Sequence, residues 1–294
     1  MSKTVRDPRE AGPKPPFPQQ PQSHPGSVHQ MNPRADHGET SYEGTGKLKD
    51  RVAIVTGGDS GIGRAVAIAF AKEGASVVIS FLPEEQADAD DTAKVIERAG
   101  GHAVKVPGDL RELANIEKLV STAISSFGQL DIVVNNAGFQ MSHESIDDLS
   151  PEELEHTFRT NVFATFLLSQ AALKKLPPGG VILNTTSIQA YDPSPQLVAY
   201  AATKAAILSM TKSIAGLAMK QGVRVNAVAP GPVWTPLIPS TMPQEKVQKF
   251  GANTEFGRPA QPIELARIYV FLASDEASYV TGEVYGATGG RTPY

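Results

Sequence analysis

The sequence predicts an α/β fold: a doubly wound, seven-stranded parallel sheet with helices on both faces, forming a single domain behind an N-terminal arm. Three observations predict it. From residue 50 onward, short β-branched runs alternate with longer stretches at helical spacing. A glycine-rich turn joins the first run to the first helical stretch, and no repeat with a period of 20 to 50 residues is visible. The 294 residues accommodate one α/β domain of about 250 residues.

The elements can be justified in chain order. Residues 1–46 carry eight of the 23 prolines, among them Pro13, Pro15, Pro16, Pro18 and Pro21, with Gln, His and Gly between them. Such a segment cannot bury enough apolar surface to offset its own ordering entropy. It reads as a solvated, partly polyproline tail, or as an arm ordered on a neighbouring subunit, and its PxxP spacing also permits a peptide-ligand role. Residues 47–294 read as the α/β domain. Val52–Thr56, Ser76–Ser80, residues 103–106, 131–134, 181–186 and 223–228, and a short run near Val284, predict the strands. Ile62, Ala65, Val66, Ala69 and Phe70 recur at helical spacing, and Gly74 closes that helix. Ser150-Pro151-Glu152-Glu153 reads as an N-cap, a first-turn proline and acids at the positive helix end. This βαβ order puts ligands at the carboxyl ends of the strands. Residues 236–258 are rich in Pro, Gly, Thr and Ser; the family resemblance given below, whose nicotinamide motif they follow, makes them the candidate substrate lid.

Composition excludes several function classes. With 27 Lys and Arg spread among 31 Asp and Glu and a net charge of −4, no basic footprint for nucleic acid exists. The absence of cysteine removes disulfides, thiolate metal sites and cysteine nucleophiles. The six histidines form no HExxH or similar array, so no metal site is expected. No apolar leader or 18-residue apolar run occurs, and the chain reads as cytoplasmic and free of the membrane. Asp88, Asp90 and Asp91 read as a solvated helix face. Asn184-Thr185-Thr186 fits a glycosylation sequon but lies on an expected core strand.

Two constellations carry chemistry. The turn Thr56-Gly57-Gly58-Asp59-Ser60-Gly61-Ile62-Gly63 would bring free backbone N–H groups and a helix start to a pyrophosphate; a tight structural connection is the bland alternative. At the end of the second strand, Phe81 stands where a carboxylate would bind a free ribose 2′-hydroxyl. NADP is thus tolerated, although no arginine at Ser60 or Ser80 grips its phosphate. Asp109 and Leu110 could border the adenine, or simply start a helix. The second constellation is Tyr200-Ala201-Ala202-Thr203-Lys204, which puts a phenol and an ammonium on one helix face. Using the phenol as a base near neutrality means lowering its pKa by roughly three units, about 4 kcal/mol, toward which an adjacent Lys⁺ contributes. Ser187 ends an expected strand thirteen residues earlier, at the ligand crevice. Asn135-Asn136-Ala137-Gly138 ends the preceding strand, where a structural role is the simpler account. Asn161 breaks local helix preference, as functional positions often do, or is a satisfied buried amide.

These motifs, together with Pro230-Gly231-Pro232-Val233-Trp234-Thr235, resemble the short-chain dehydrogenase/reductase family over about residues 48–290. The Pro-rich tail and the flanking stretches are similar to a bacterial branch described as NADP-dependent aldehyde reductases or stress-associated oxidoreductases. The resemblance implies a Rossmann-type fold, a small carbonyl or alcohol substrate, NADP or NAD with a mild lean to NADP(H), and a homotetramer. It implies that Tyr200 exchanges the proton, Ser187 donates to the substrate oxygen, Lys204 anchors the ribose and lowers the tyrosine pKa, and Asn161 holds a relay water. Gly57, Ser60, Ile62 and Gly63 would meet the pyrophosphate. Phe81, Asp109, Leu110, Asn135, Ala137 and Gly138 would meet the adenosine side, and Pro230, Gly231, Val233 and Thr235 the nicotinamide half. Gln140, Gln189 and Trp234 are the candidate substrate contacts. The rival readings are a non-catalytic cofactor-binding scaffold and a same-fold epimerase or dehydratase.

Overall fold

The structure is a computed structural model that describes residues 7–291. Seven strands, β1 (Val52–Thr56), β2 (Ser76–Phe81), β3 (His102–Pro107), β4 (Ile132–Asn135), β5 (Val181–Thr185), β6 (Arg224–Pro230) and β7 (Val284–Ala287), form one sheet in the order β3-β2-β1-β4-β5-β6-β7. Every pairing is parallel. The expected strands fall within two residues of these bounds. All residues of β1, β4, β5 and β6 are buried, as mostly apolar strands covered on both faces should be, with the buried polar side chains of Asn135, Asn184, Arg224 and Asn226 among them. Alternation within β1 divides the core: Ala53 and Val55 face one helical layer, Val52 and Ile54 the other.

The first layer holds α1 (Gly61–Lys72) and α9 (Pro262–Ala273), with part of α2 (Gln86–Arg98). The second holds α3 (Leu113–Phe127), α5 (Ala164–Leu173) and α6 (Val198–Ala218). The helix α4 (Pro151–Phe158) begins as its sequence requires, with the Ser150 hydroxyl accepting the Glu153 N–H at 3.1 Å. It runs into α5 through a wide π-turn, Arg159–Phe163. Two short helices, α7 (Leu237–Thr241) and α8 (Gln244–Gln248), occupy the segment after β6. Strand order reverses between β1 and β4, so the loops after these strands diverge and open a crevice.

From residue 7 onward the Pro-rich arm packs on its own chain. Phe17 stacks on Trp234 with centroids 4.1 Å apart, and the indole N–H donates to the Pro33 carbonyl at 2.9 Å. Phe17, Met31 and Ala35 form a small core with Trp234, Ile238 and Val247. Farther on, Lys72 Nζ donates to the carbonyls of Gly38, Glu39 and Tyr42 at 2.7–2.9 Å, and buried Glu73 accepts the N–H groups of Thr45 and Lys47. The arm makes no core alone. The domain lends it one, and its prolines leave less backbone freedom to lose.

Candidate active site

The crevice is a cavity of about 530 Å³, within the range of small-ligand sites. Its floor is built by the turn after β1. Gly57 and Gly61 take φ of +61° and +50°, a region that penalises any side chain. A Cβ on Gly63 would lie 1.9 Å from the Gly57 carbonyl, so Gly63 lets the helix start close against the turn. The Thr56 hydroxyl accepts the N–H groups of Asn136 and Ala137 at 2.9 and 3.0 Å, and Asn136 Nδ2 donates back to the Thr56 carbonyl at 3.0 Å. These bonds fix the loop after β4 against the glycine turn. A phosphate could approach backbone here as it could nowhere with side chains.

At one end of the cavity stand Phe81, Asp109 and Leu110. Three carboxylates join them. Asp59, Glu84 and Glu85 also line the cavity, and burial pushes Asp59 well up and Glu85 up to about 7. The sequence reading found no acid at the end of β2 itself, and that holds; the acids come from the turn after β1 and the loop after β2. Asp109 is held low by Arg111, whose guanidinium donates to it at 2.8 Å.

At the other end Ser187, Tyr200 and Lys204 all face the cavity, with Pro230, Gly231, Val233, Thr235, Gln140 and Gln189. Ser187 follows β5, and Tyr200 and Lys204 lie one turn apart on α6. Lys204 Nζ is 5.4 Å from the centre of the Tyr200 ring and donates to the Thr185 carbonyl at 2.8 Å. Burial pushes the tyrosine up to about 12, with a hydrogen bond to Ser187 pulling it back, and burial lowers the lysine to about 8. The expected lowering of the phenol by the ammonium is therefore not the dominant effect here. Desolvation by the surrounding protein is the leading cause for both groups.

Four expected contacts do not line the cavity. Gly63 serves the close packing just described. Asn135 points away, its amide donating to Ser169 Oγ at 3.1 Å and Asn184 Oδ1 at 2.9 Å; its neighbour Asn136 faces the cavity instead. Side chains alternate at a strand end, so only one of two adjacent amides could do so. Trp234 is fully buried between arm and α7 rather than at the substrate. Asn161, in the π-turn, gives both amide protons away, to the Phe139 carbonyl and Thr203 Oγ1 at 2.9 Å, and accepts the Phe139 N–H at 2.7 Å. It and Lys204 Nζ flank Gly138, where a Cβ would meet each at 3.6 Å. What the sequence reading missed in the cavity wall is Asn136, Thr185, whose hydroxyl lies 2.7 Å from that of buried Tyr269 behind it, and His24 of the arm. Asn136 could have been found by strand alternation. His24 left no signal, because only docking of the arm brings it near.

A glycine cradle at a strand switch point, leading to a phenol, a hydroxyl and an ammonium in one cavity, defines a dinucleotide-dependent oxidoreductase. Residues 57–292 match the family profile described as enoyl-(acyl carrier protein) reductase. The chain belongs to this family, within the short-chain dehydrogenases/reductases, and is an NAD(P)-dependent oxidoreductase of the carbonyl/alcohol type. It is 51% identical to "Uncharacterized oxidoreductase YghA" of Escherichia coli (strain K12) over 94% of each chain. It is 40% identical to "NADPH-dependent aldehyde reductase 1, chloroplastic" of Arabidopsis thaliana, over 90% of this chain and 94% of that one. A crystal structure of a short chain dehydrogenase from Burkholderia cenocepacia J2315 in complex with NADP superposes with a TM-score of 0.77 at 31% identity, covering 83% of this chain and 98% of that one.

Proposed function

We propose that the protein reduces an aldehyde or ketone to the alcohol, with Tyr200 delivering the proton. The observation that carries this reading is the convergence of the Ser187 and Tyr200 hydroxyls, with Lys204 beside them, on one cavity that also contains the glycine turn. Two hydroxyl donors suit a single oxygen atom, the one a carbonyl offers. When bound, the reduced nicotinamide supplies the hydride to the carbonyl carbon. Ser187 then steadies the oxygen by donating to it, and Tyr200, held protonated by its burial, gives it the proton. The resulting phenolate is met by Lys204, whose ammonium uses one donor on Thr185 and keeps the others for a ribose or the phenolate. Asn161 positions Phe139 and, through it, Gly138 beside that ammonium. The relative named for NADPH-dependent aldehyde reduction and the NADP-bound structural neighbour support NADP(H), with NAD as the second candidate.

Residues 236–258 serve in this reading as the substrate lid, since Leu237, Ile238, Met242 and Phe250 contribute apolar wall to the cavity. Self-association as a homotetramer is part of it, supported by Phe163 and Phe166, 51% and 45% exposed along the π-turn and α5. Among the described residues no helix is long and apolar enough to cross a membrane, and a cytoplasmic setting suits a chain without cysteine. The test is Tyr200→Phe, assayed by loss of NADPH absorbance with a panel of aldehydes and ketones. Turnover should fall by about 10³-fold or more while coenzyme affinity stays within a few-fold. A variant that keeps near-wild-type turnover refutes the assignment.

A further inference from the structure

The arm lies outside the matched family region, which begins at residue 57, yet it reaches the coenzyme groove. His24 and Pro25 stand in the wall of the same cavity as the glycine turn. On one side of them the arm is tied to the lid segment: the Phe17 N–H donates to the Gln248 carbonyl and the Gln20 N–H to Gln244 Oε1, each at 2.9 Å, and the Gln22 N–H to the Pro239 carbonyl at 3.3 Å. On the other side it is tied to α2. The Val28 N–H donates to Asp88 Oδ2 at 2.9 Å and the Ser27 hydroxyl to Asp88 Oδ1 at 3.2 Å. Residues 22–27 thus bridge the lid and the helix that follows Glu84 and Glu85. At mid-span the His24 ring meets Phe139 edge-on at 5.0 Å, and Phe139 stacks on His156 at 4.3 Å. The close fit needs Gly26: its φ is +86°, and a Cβ there would come within 2.7 Å of the Pro236 carbonyl.

We propose that residues 20–28 are a strap across the coenzyme groove and that His24 is a positioning residue for the bound dinucleotide, which enters and leaves only when the strap lifts. The proposal rests on the NAD(P)-linked reading above. Its ties suit a part that opens. Between its buried apolar anchors, Phe17 and Val28, they are a handful of hydrogen bonds, each of modest net strength in water. The wall they hold carries two imidazoles and a phenyl ring, groups suited to lie against a nucleotide's sugar and base.

The experiment follows release of NADPH by stopped-flow displacement, using its fluorescence, from the full chain, from Gly26→Ala, His24→Ala and Asp88→Ala, and from chains lacking residues 1–33 or only 1–11. Release should be about tenfold faster in Gly26→Ala and the longer truncation, and faster by several-fold in His24→Ala and Asp88→Ala. The shorter truncation, which spares the strap, should match the full chain. A merely structural arm would lower the melting temperature of the coenzyme-free protein while the folded fraction released NADPH at the original rate, and that result overturns the proposal. Should the longer truncation fail to fold, the three point variants decide by the same release rates. If the full chain binds neither NADPH nor NADH, the oxidoreductase reading itself fails and the strap with it; if it binds and no variant changes release, only the strap fails.

Discussion

At the scale of single residues, the pair Tyr200 and Lys204 was legible because four residues on a helix amount to about one turn, a geometry that any tertiary setting preserves. The direction of their pKa shifts was not, since it depends on how much water the completed cavity leaves. Lys204 makes that direction testable. Its folded pKa of about 8 lies below the ordinary 10.5, so the unfolded chain binds the proton more tightly. Burial of the ammonium therefore costs stability in full below pH 8, and the cost disappears as pH rises from 8 to 10.5. The stability of the wild type relative to Lys204→Met should rise across that window, by an amount on the order of 3 kcal/mol for a shift of about 2.5 units. Denaturant melts of the coenzyme-free proteins at pH 7 and pH 10.5 would reveal it; a flat difference contradicts the assignment. Asp59 shows the opposite sign. Its carboxyl is pushed up by burial, Glu85 and Asp88, so its neutral form is favoured and stability is lost as pH rises. Asp59→Asn should stabilise the coenzyme-free chain at pH 8 more than at pH 4, read as the change in melting temperature.

At the scale of elements, the strands were legible to within two residues because each holds a short β-branched or apolar run, near-continuous in the central strands that are buried on both faces. The turn after β1 was legible as a glycine motif, but the separate duties of its glycines were not. Gly57 and Gly61 supply backbone shapes, whereas Gly63 supplies proximity, and only coordinates separate the two. Gly63→Ala should accordingly push α1 away from the Gly57 carbonyl, weakening coenzyme binding by tenfold or more and destabilising the fold by about 1–3 kcal/mol. Coenzyme titration alongside a thermal melt checks both effects, and unchanged affinity would show that the turn tolerates the added carbon. The π-turn around Asn161 was anticipated only as a breach of helix preference. Within it Asn161 pairs with both backbone polar groups of Phe139, a residue 22 positions earlier in the chain and invisible to local pattern.

At the scale of the whole molecule, the exposed Phe163 and Phe166 make a prediction about assembly. Phe163→Glu with Phe166→Glu should shift the mass measured by light scattering from that of the proposed tetramer to a smaller species; an unchanged mass contradicts a subunit face here. The arm is where sequence reasoning fell shortest. Composition shows that residues 1–46 cannot make a core, but not that the domain holds a vacancy shaped for Phe17, Met31 and Ala35. That vacancy closes over Trp234, the chain's sole tryptophan. Nature has thereby left a built-in optical gauge at the joint: excitation at the indole band reads this one spot, free of any other emitter of its kind. Loosening of the N-terminal segment should redden and dim that emission well before the sheet melts, so its motion can be watched in the unlabelled protein.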